Sequence, residues 1–368
     1  PAVYDRLARV LGAYYALCSD LWQGAGVDLA SYNAREMAYD VEAMRRALGY
    51  DKIGVIGVGF GSHVALTLLK ESPESIERAA LILIQGPDQM LTLPADVQQQ
   101  LVRLDGRVKA DPALTQQMPD FLGTVATVLD RLSTAPVGVT IEDPLDGSPI
   151  DVTVGQLDLQ YATAITLAGT EQRSLPARYA EMALGDYTWL AEAALTWRRN
   201  LGGSLMPAVA QCASNASTER LAQIDEEMET ALLGNAINGV WFDTCSSIGE
   251  VVLDDEFREA VNSDVPVLLV SGNMDALTPD GNGEAVLAGL SNGQHLIIDG
   301  ASHELIDEAL PQLAPVLIEF MLGDTTADFS GADLAVPFVL EPVRVQTVAE
   351  VTGWLGEFYN NRDLSGAP

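Results

Sequence analysis

The sequence predicts an α/β protein: a mostly parallel sheet with helices on both faces, and a helical segment inserted between two parts of the core. Three observations predict it. Four short apolar runs, at 53–57, 79–84, 265–272 and 296–300, have the length of buried strands. Helical patterns separate them, and strands apolar on both faces belong to sheets that helices cover on both sides. Between the second and third runs lies an interval, 88–240, that reads as mostly helical.

Taken in order, residues 33–48 are the clearest helix. Met37, Val41, Met44 and Leu48 recur at helical spacing. Asn33 with Glu36 three residues on resembles a capping box, and Gly49 is placed as the C-terminal stop. The strand at 53–57 runs into a tight glycine turn and a helix over 60–72, which Pro73 ends. In the inserted interval, Trp189 and Trp197 share one amphipathic stretch, and a polar interlude at 143–153 with Pro144, Gly147 and Pro149 breaks the helical pattern. This interval reads as a cap over the mouth of the sheet. Its tryptophans read as cap core, with Trp189 and Trp241 as candidate substrate contacts. The strands at 265–272 and 296–300 complete the core, and 348–359 forms a terminal helix in an otherwise irregular tail. The organisation expected is core 1–87, cap 88–240, core 241–324 and extension 325–368.

Composition narrows the function. With 368 residues, 48% of them hydrophobic, the chain can bury a sizeable core. No apolar run approaches the ~20 residues of a membrane span. Fifty-two acidic residues face 20 basic ones, a formal charge of −32, and only Lys52, Lys70 and Lys109 are lysines. Such a surface repels nucleic acid and anionic membranes. It fits adaptation to salt, an extracellular life, or simply an acidic soluble protein. The chain opens on Pro1 rather than methionine, which reads as a processed or truncated start. Three cysteines are too few for a disulfide scaffold. Either Cys212 and Cys245, which flank one helical segment, form a bridge that leaves Cys18 over, or all three are buried thiols. A bridge implies an oxidising compartment, hence a secreted or periplasmic protein; the alternative is cytoplasmic.

The glycine turn carries the chemistry. Residues 51–62 read Asp-Lys-Ile-Gly-Val-Ile-Gly-Val-Gly-Phe-Gly-Ser. Gly57 and Gly61 have the spacing of a strand–turn–helix nucleophile elbow, G-x-S-x-G, but Gly59 stands where the serine belongs. The scaffold for a nucleophile is present and the attacking atom is missing. In the chain order nucleophile, acid, histidine, the acid follows a late strand. Asp275 does so after 265–272, and would hold a histidine's tautomer and stabilise its imidazolium. Asp299 competes, but its place at a strand end suits a turn. Of three histidines, His303 lies just past the last strand and is the candidate general base. His63, one turn into the helix after the elbow, reads as packed or solvated, and His295 as the start of the last strand. Ser62, the nearest hydroxyl to the elbow, reads as a helix-start or packing residue. Phe60 N–H is a candidate oxyanion donor. No metal is expected, because the histidines are dispersed and the cysteines unpaired in spacing. No cofactor is expected either: there is no P-loop, and a dinucleotide fingerprint begun at Gly57 and Gly59 would end on Ser62.

These residues carry a resemblance. The stretch Asp28-Leu29, Tyr32-Asn33, Ala38, Asp40-Val41-Glu42-Ala43, Arg45 and Leu48-Gly49-Tyr50-Asp51-Lys52 is similar to the tripeptidyl aminopeptidase and proline iminopeptidase branch of the α/β hydrolases. So are the elbow, the Cys212–Cys245 segment, 266–279 and the His303 loop. The resemblance spans about 15–322 and implies the α/β-hydrolase fold with an inserted cap. It also implies a serine hydrolase acting on N-terminal peptide bonds, or on esters and other amides, and often exported. Three departures stand out. Gly59 occupies the serine position. The family's early strands and its His-Gly-Gly-type oxyanion segment have no counterpart in this chain, which removes one oxyanion donor, worth about 3–4 kcal/mol of transition-state stabilisation. After Cys212 the sequence Ala213-Ser214-Asn215 is neutral where the family often has an acid, which disfavours a free peptide amine.

Three explanations fit Gly59: an enzyme with its nucleophile replaced, a non-catalytic relative that binds a ligand beneath the cap, or direct activation of water by Asp275 and His303. A reading of a different class is an interaction protein whose cap presents a binding face. The expected partners are a small-molecule or peptide substrate and a separate N-terminal fragment completing the sheet.

Overall fold

The computed structural model describes residues 2–200, 203–239, 242–249, 252–323 and 328–343. Trp241 and the expected helix at 348–359 lie outside them. In chain order the elements are α1 (Ala2–Gly24), α2 (Ala34–Leu48), β1 (Ile53–Val58), α3 (Phe60–Glu71), β2 (Ile76–Ile82), α4 (Pro94–Ala110), α5 (Pro112–Gln117), α6 (Phe121–Thr134), β3 (Val137–Glu142) and β4 (Pro149–Val154). They continue with α7 (Gln156–Ala168), α8 (Leu175–Ala183), α9 (Thr188–Arg199), α10 (Leu205–Ser214), α11 (Thr218–Met228), α12 (Asp255–Arg258), β5 (Val267–Gly272), α13 (Asp280–Leu287), β6 (Gly293–Ile298) and α14 (Leu305–Leu322).

Four strands pair in parallel in the order β1-β2-β5-β6. The two central strands are apolar on both faces for a visible reason. Ala79 and Leu81 of β2, with Val267 and Leu269 of β5, pack under α2, α3 and α13. Their alternates Ala80, Ile82, Leu268 and Val270 pack under α14. Register sets Val58 beside Ile82, Ile82 beside Val270, and Gly272 beside Ile298. The C-terminal ends of all four strands therefore share one edge, where sites of open α/β sheets form. At β1 the pattern changes. Ile53 and Val55 pack on the α2/α3 side, while Ile56 is 55% exposed on the other, and no strand among the described residues pairs with the outer edge of β1.

Helix α2 begins and ends on its sequence signals. Asn33 Oδ1 accepts from Glu36 N, and Gly49 at φ +77° closes the helix. Its buried face differs from the apolar stripe. Ala34, Ala38 and Glu42 are buried, while Met44 and Leu48 are exposed. Alanines let α2 approach α3 closely, and the Glu42 carboxylate is held by Arg45 and Arg46 at 2.7–2.8 Å.

Between β2 and β5 the chain builds a separate apolar cluster around Phe121 and Tyr179, whose rings meet edge-on at 5.7 Å. The polar interlude at 143–153 is not a break between helices; it is the turn and second strand of a hairpin. Strands β3 and β4 pair antiparallel, Ile141 facing Ile150 and Val139 facing Val152. Alternating Val137, Val139 and Ile141 carry the strand period, but the flanking helices mask so short a pattern. Helix α1 has no counterpart in the sequence reading. Leu11 and Tyr15 face α10 and the disulfide, while Val10, Leu17 and Leu21 are exposed. Apolar residues on two faces leave no single stripe to read.

Candidate active site

The elbow is built by two glycines with different reasons. Gly59 follows β1 at φ +54°, ψ −121°, a conformation L side chains rarely adopt. Its N–H donates to Ile82 O at 2.9 Å, and its carbonyl accepts from Ser62 N at 2.8 Å, so the turn is pinned to β2 and to α3. A Cβ at Gly59 would meet no atom within 4 Å. At Gly57 a Cβ would lie 2.5 Å from Gly61 O. Gly57 is thus demanded by close backbone approach and Gly59 by its dihedral angles. Phe60 N–H opens α3 and, like the other first-turn amides, has no carbonyl one turn back. An anion beside it would also meet the positive end of the helix.

Ser62 is fully buried and committed. Its Oγ donates to Gly59 O at 2.7 Å and accepts from Gln85 N at 2.9 Å, tying the elbow to the segment after β2.

Asp275 and His303 meet. Asp275 lies in the loop after β5 and is fully buried. One carboxylate oxygen, Oδ1, accepts from Leu277 N at 2.7 Å and Thr278 N at 2.9 Å, an Asx-type turn. The other, Oδ2, accepts from Thr278 Oγ1 and lies 2.9 Å from His303 Nδ1. With four partners the carboxylate is saturated, and its second oxygen fixes the imidazole with Nδ1 as donor. That leaves Nε2, which makes no hydrogen bond among the described residues. Burial works against the imidazolium, but the hydrogen bond to Asp275, its charge and that of Glu304 outweigh it. His303 therefore holds its proton above the ordinary imidazole range.

Both loops are fastened from outside. A Cβ at Gly272 would lie 2.3 Å from Ala301 O, and Met274 N donates to that same oxygen at 2.9 Å. Asn273 bridges to Gly300 N and to Asp299. From the segment between β2 and β5, Ala168 O at the end of α7 accepts from His303 N at 2.8 Å. Thr278 and Ala168 are the positioning groups that the sequence reading missed. The spacing Asp275-x-x-Thr278 was the available signal for the first; the second is a backbone carbonyl and leaves none.

The remaining candidates sit elsewhere. Burial pushes His63 down to about 4; its ring bonds Gly86 O at 3.2 Å and Ser214 Oγ at 3.0 Å. His295 lies within β6 rather than at its start, with Nε2 2.9 Å from Ser271 Oγ. Asp299 pairs with Arg107 and Asn273. Trp189 packs on the cluster around Phe121 and Tyr179, and Trp197 rather than Trp189 lines a cavity that α1, α7, α9 and α10 wall. Cys212 and Cys245 form a disulfide with Cα atoms 5.5 Å apart, and Cys18 is free. Among the described residues no group of His, Cys, Asp and Glu has the geometry to hold a metal ion, and no helix is long and apolar enough to cross a membrane.

Comparison with known proteins agrees with this layout in one region. The profile of the family Abhydrolase_4, described as TAP-like protein, matches residues 240–322, which contain both Asp275 and His303. No curated protein matches the chain. Similar solved structures include an α/β hydrolase from a Medee basin deep-sea metagenome library, at 13% identity over 81% of this chain and 75% of that one, TM-score 0.34. A thermophilic esterase from Thermogutta terrifontis matches at 14% identity over 78% and 72%, TM-score 0.31. A meta-cleavage product hydrolase from Pseudomonas fluorescens matches at 12% over 78% and 71%, TM-score 0.34. Parallel strands in the order β1-β2-β5-β6, the glycine elbow after β1, and acid and histidine loops after β5 and β6 give this chain the α/β-hydrolase fold.

Proposed function

We propose that this chain is a hydrolase of the serine type, directed at peptide, amide or ester bonds in the manner of an aminopeptidase, and silent as it stands because Gly59 replaces the nucleophile. One observation carries the reading. The strained dihedral angles of a nucleophile elbow and an Asp–His pair with a free Nε2 occupy the same edge of the sheet, with open space where the side chain would project. A serine hydroxyl there would attack a carbonyl carbon. His303 Nε2 would take its proton and return it to the leaving group, and Asp275 would hold the tautomer. Phe60 N–H would bond the developing oxyanion.

Fluorophosphonate labelling of the Gly59→Ser protein tests this. Labelling at position 59 that disappears with His303→Ala supports the reading; a folded, unlabelled variant removes it. The glycine itself favours a second reading, a non-catalytic relative that binds a ligand beneath the cap. Turnover by Gly59→Ser would count against that reading.

We also propose an oxidising, secreted or periplasmic setting, which the Cys212–Cys245 bridge supports. A further strand from a separate polypeptide segment is proposed to pair with the open edge of β1; the exposed Ile56 and Val58 support it.

A further inference from the structure

Beneath the cap lies a cavity of about 590 Å³, within the size range of small-molecule sites. Four helices wall it: α1 through Tyr15, α7 through Tyr161 and Ala162, α9 through Ala193 and Trp197, and α10 through Gln211. Among the described residues its lining holds no Asp, Glu, Lys, Arg or His. In a chain with 52 acidic residues this is a pointed exclusion, since a site for a peptide's ammonium group would need a carboxylate facing it.

Two features say what fits instead. Alanines at 162 and 193 leave room beside aromatic rings, and Tyr161 and Trp197 stand with centroids 5.0 Å apart. Two of the cavity's walls run to the candidate active site: α7 ends at Ala168, whose carbonyl accepts from His303 N, and α10 ends at Ser214, which bonds His63 of α3.

We infer that this cavity binds the non-reacting part of the substrate, and that this part is an uncharged aromatic or aliphatic group, not a free N-terminal amine. Its identification as substrate rests on the hydrolase reading above; the binding itself does not.

The test uses the unaltered Gly59 protein, so it needs no catalysis. Leucine β-naphthylamide and its N-acetylated form are titrated by fluorescence at pH 6, where the free amine is charged. The acetylated, neutral probe is expected to bind at least tenfold tighter, although the net negative charge of the protein draws the cation. Ala193→Phe, which places a ring in the cavity, is expected to weaken the neutral probe at least tenfold. Trp197→Ala, which removes one ring of the Tyr161–Trp197 pair, is expected to weaken it severalfold. Thermal melts confirm that each variant is folded. A preference below tenfold, or neutral-probe binding unchanged by Ala193→Phe, overturns the inference. Failure of fluorophosphonate labelling would remove the hydrolase reading and leave these binding results standing.

Discussion

Placing serine at position 59 should cost stability while creating reactivity. The perturbation is small in volume, since a Cβ there meets nothing within 4 Å, so no steric term enters. What remains is the backbone. Gly59 sits at φ +54°, ψ −121°, and holding a non-glycine residue in such a region costs about 1–3 kcal/mol. The turn cannot relax freely, because Gly59 N is bonded to Ile82 O and Gly59 O to Ser62 N. With an unfolding entropy of about 2.1 cal/mol/K per residue, that cost lowers the melting temperature of a chain this size by about 1–4 °C. Differential scanning fluorimetry of Gly59 and Gly59→Ser proteins measures it, and fluorophosphonate labelling of the same samples measures reactivity. A serine protein as stable as the glycine protein would show that the turn relaxes to ordinary angles. If it also took no label, the elbow reasoning would be refuted.

Four further outcomes follow from the same structure. Gly57→Ala places a methyl 2.5 Å from Gly61 O and should cost about 1–3 kcal/mol, while Gly61→Ala, with open space inside a helix, should be neutral or stabilising by about 0.4–1 kcal/mol; paired thermal melts separate them. The two histidines give opposite pH dependences. His303, raised by Asp275 against burial, contributes stability that is full below about pH 6.5 and is lost as pH rises through its elevated pKa, and labelling of Gly59→Ser should rise through that same value. His63, lowered to about 4 by burial, contributes roughly 3 kcal/mol that is present above about pH 6.5 and lost as pH falls to about 4, a loss that denaturant melts should show and His63→Gln should reduce. Replacing Cys212 and Cys245 with serine opens a bridge between residues 33 apart, and the loop-closure model puts the loss at about 4 kcal/mol in chemical unfolding. Ile56→Lys, on the uncovered face of β1, should reduce self-association of the chain in light scattering; an unchanged oligomeric profile would argue against an adhesive β1 edge.

The sequence by itself determined the core and the names of its chemical groups. Local hydrogen bonding writes itself into local pattern: Asn33 and Gly49 mark α2, continuous apolar runs mark strands buried on two sides, and the spacing of Gly57 and Gly61 marks the turn between β1 and α3. Three histidines and one chain order singled out Asp275 and His303 as candidates, and the structure joins the two in a hydrogen bond. Where the pattern served two masters, it misled. Met44 and Leu48 keep the helical period of α2 yet face outward, and α1 is apolar on two faces. Only the tertiary structure decided how the groups are held and what lies beside them. The Ala168 carbonyl on His303, the Ala301 oxygen against Gly272, the occupied hydroxyl of Ser62 and the cavity beside Trp197 all join segments distant in the chain. A cavity is the space left where small side chains of several helices meet, and no single helix carries a record of which neighbours it will find.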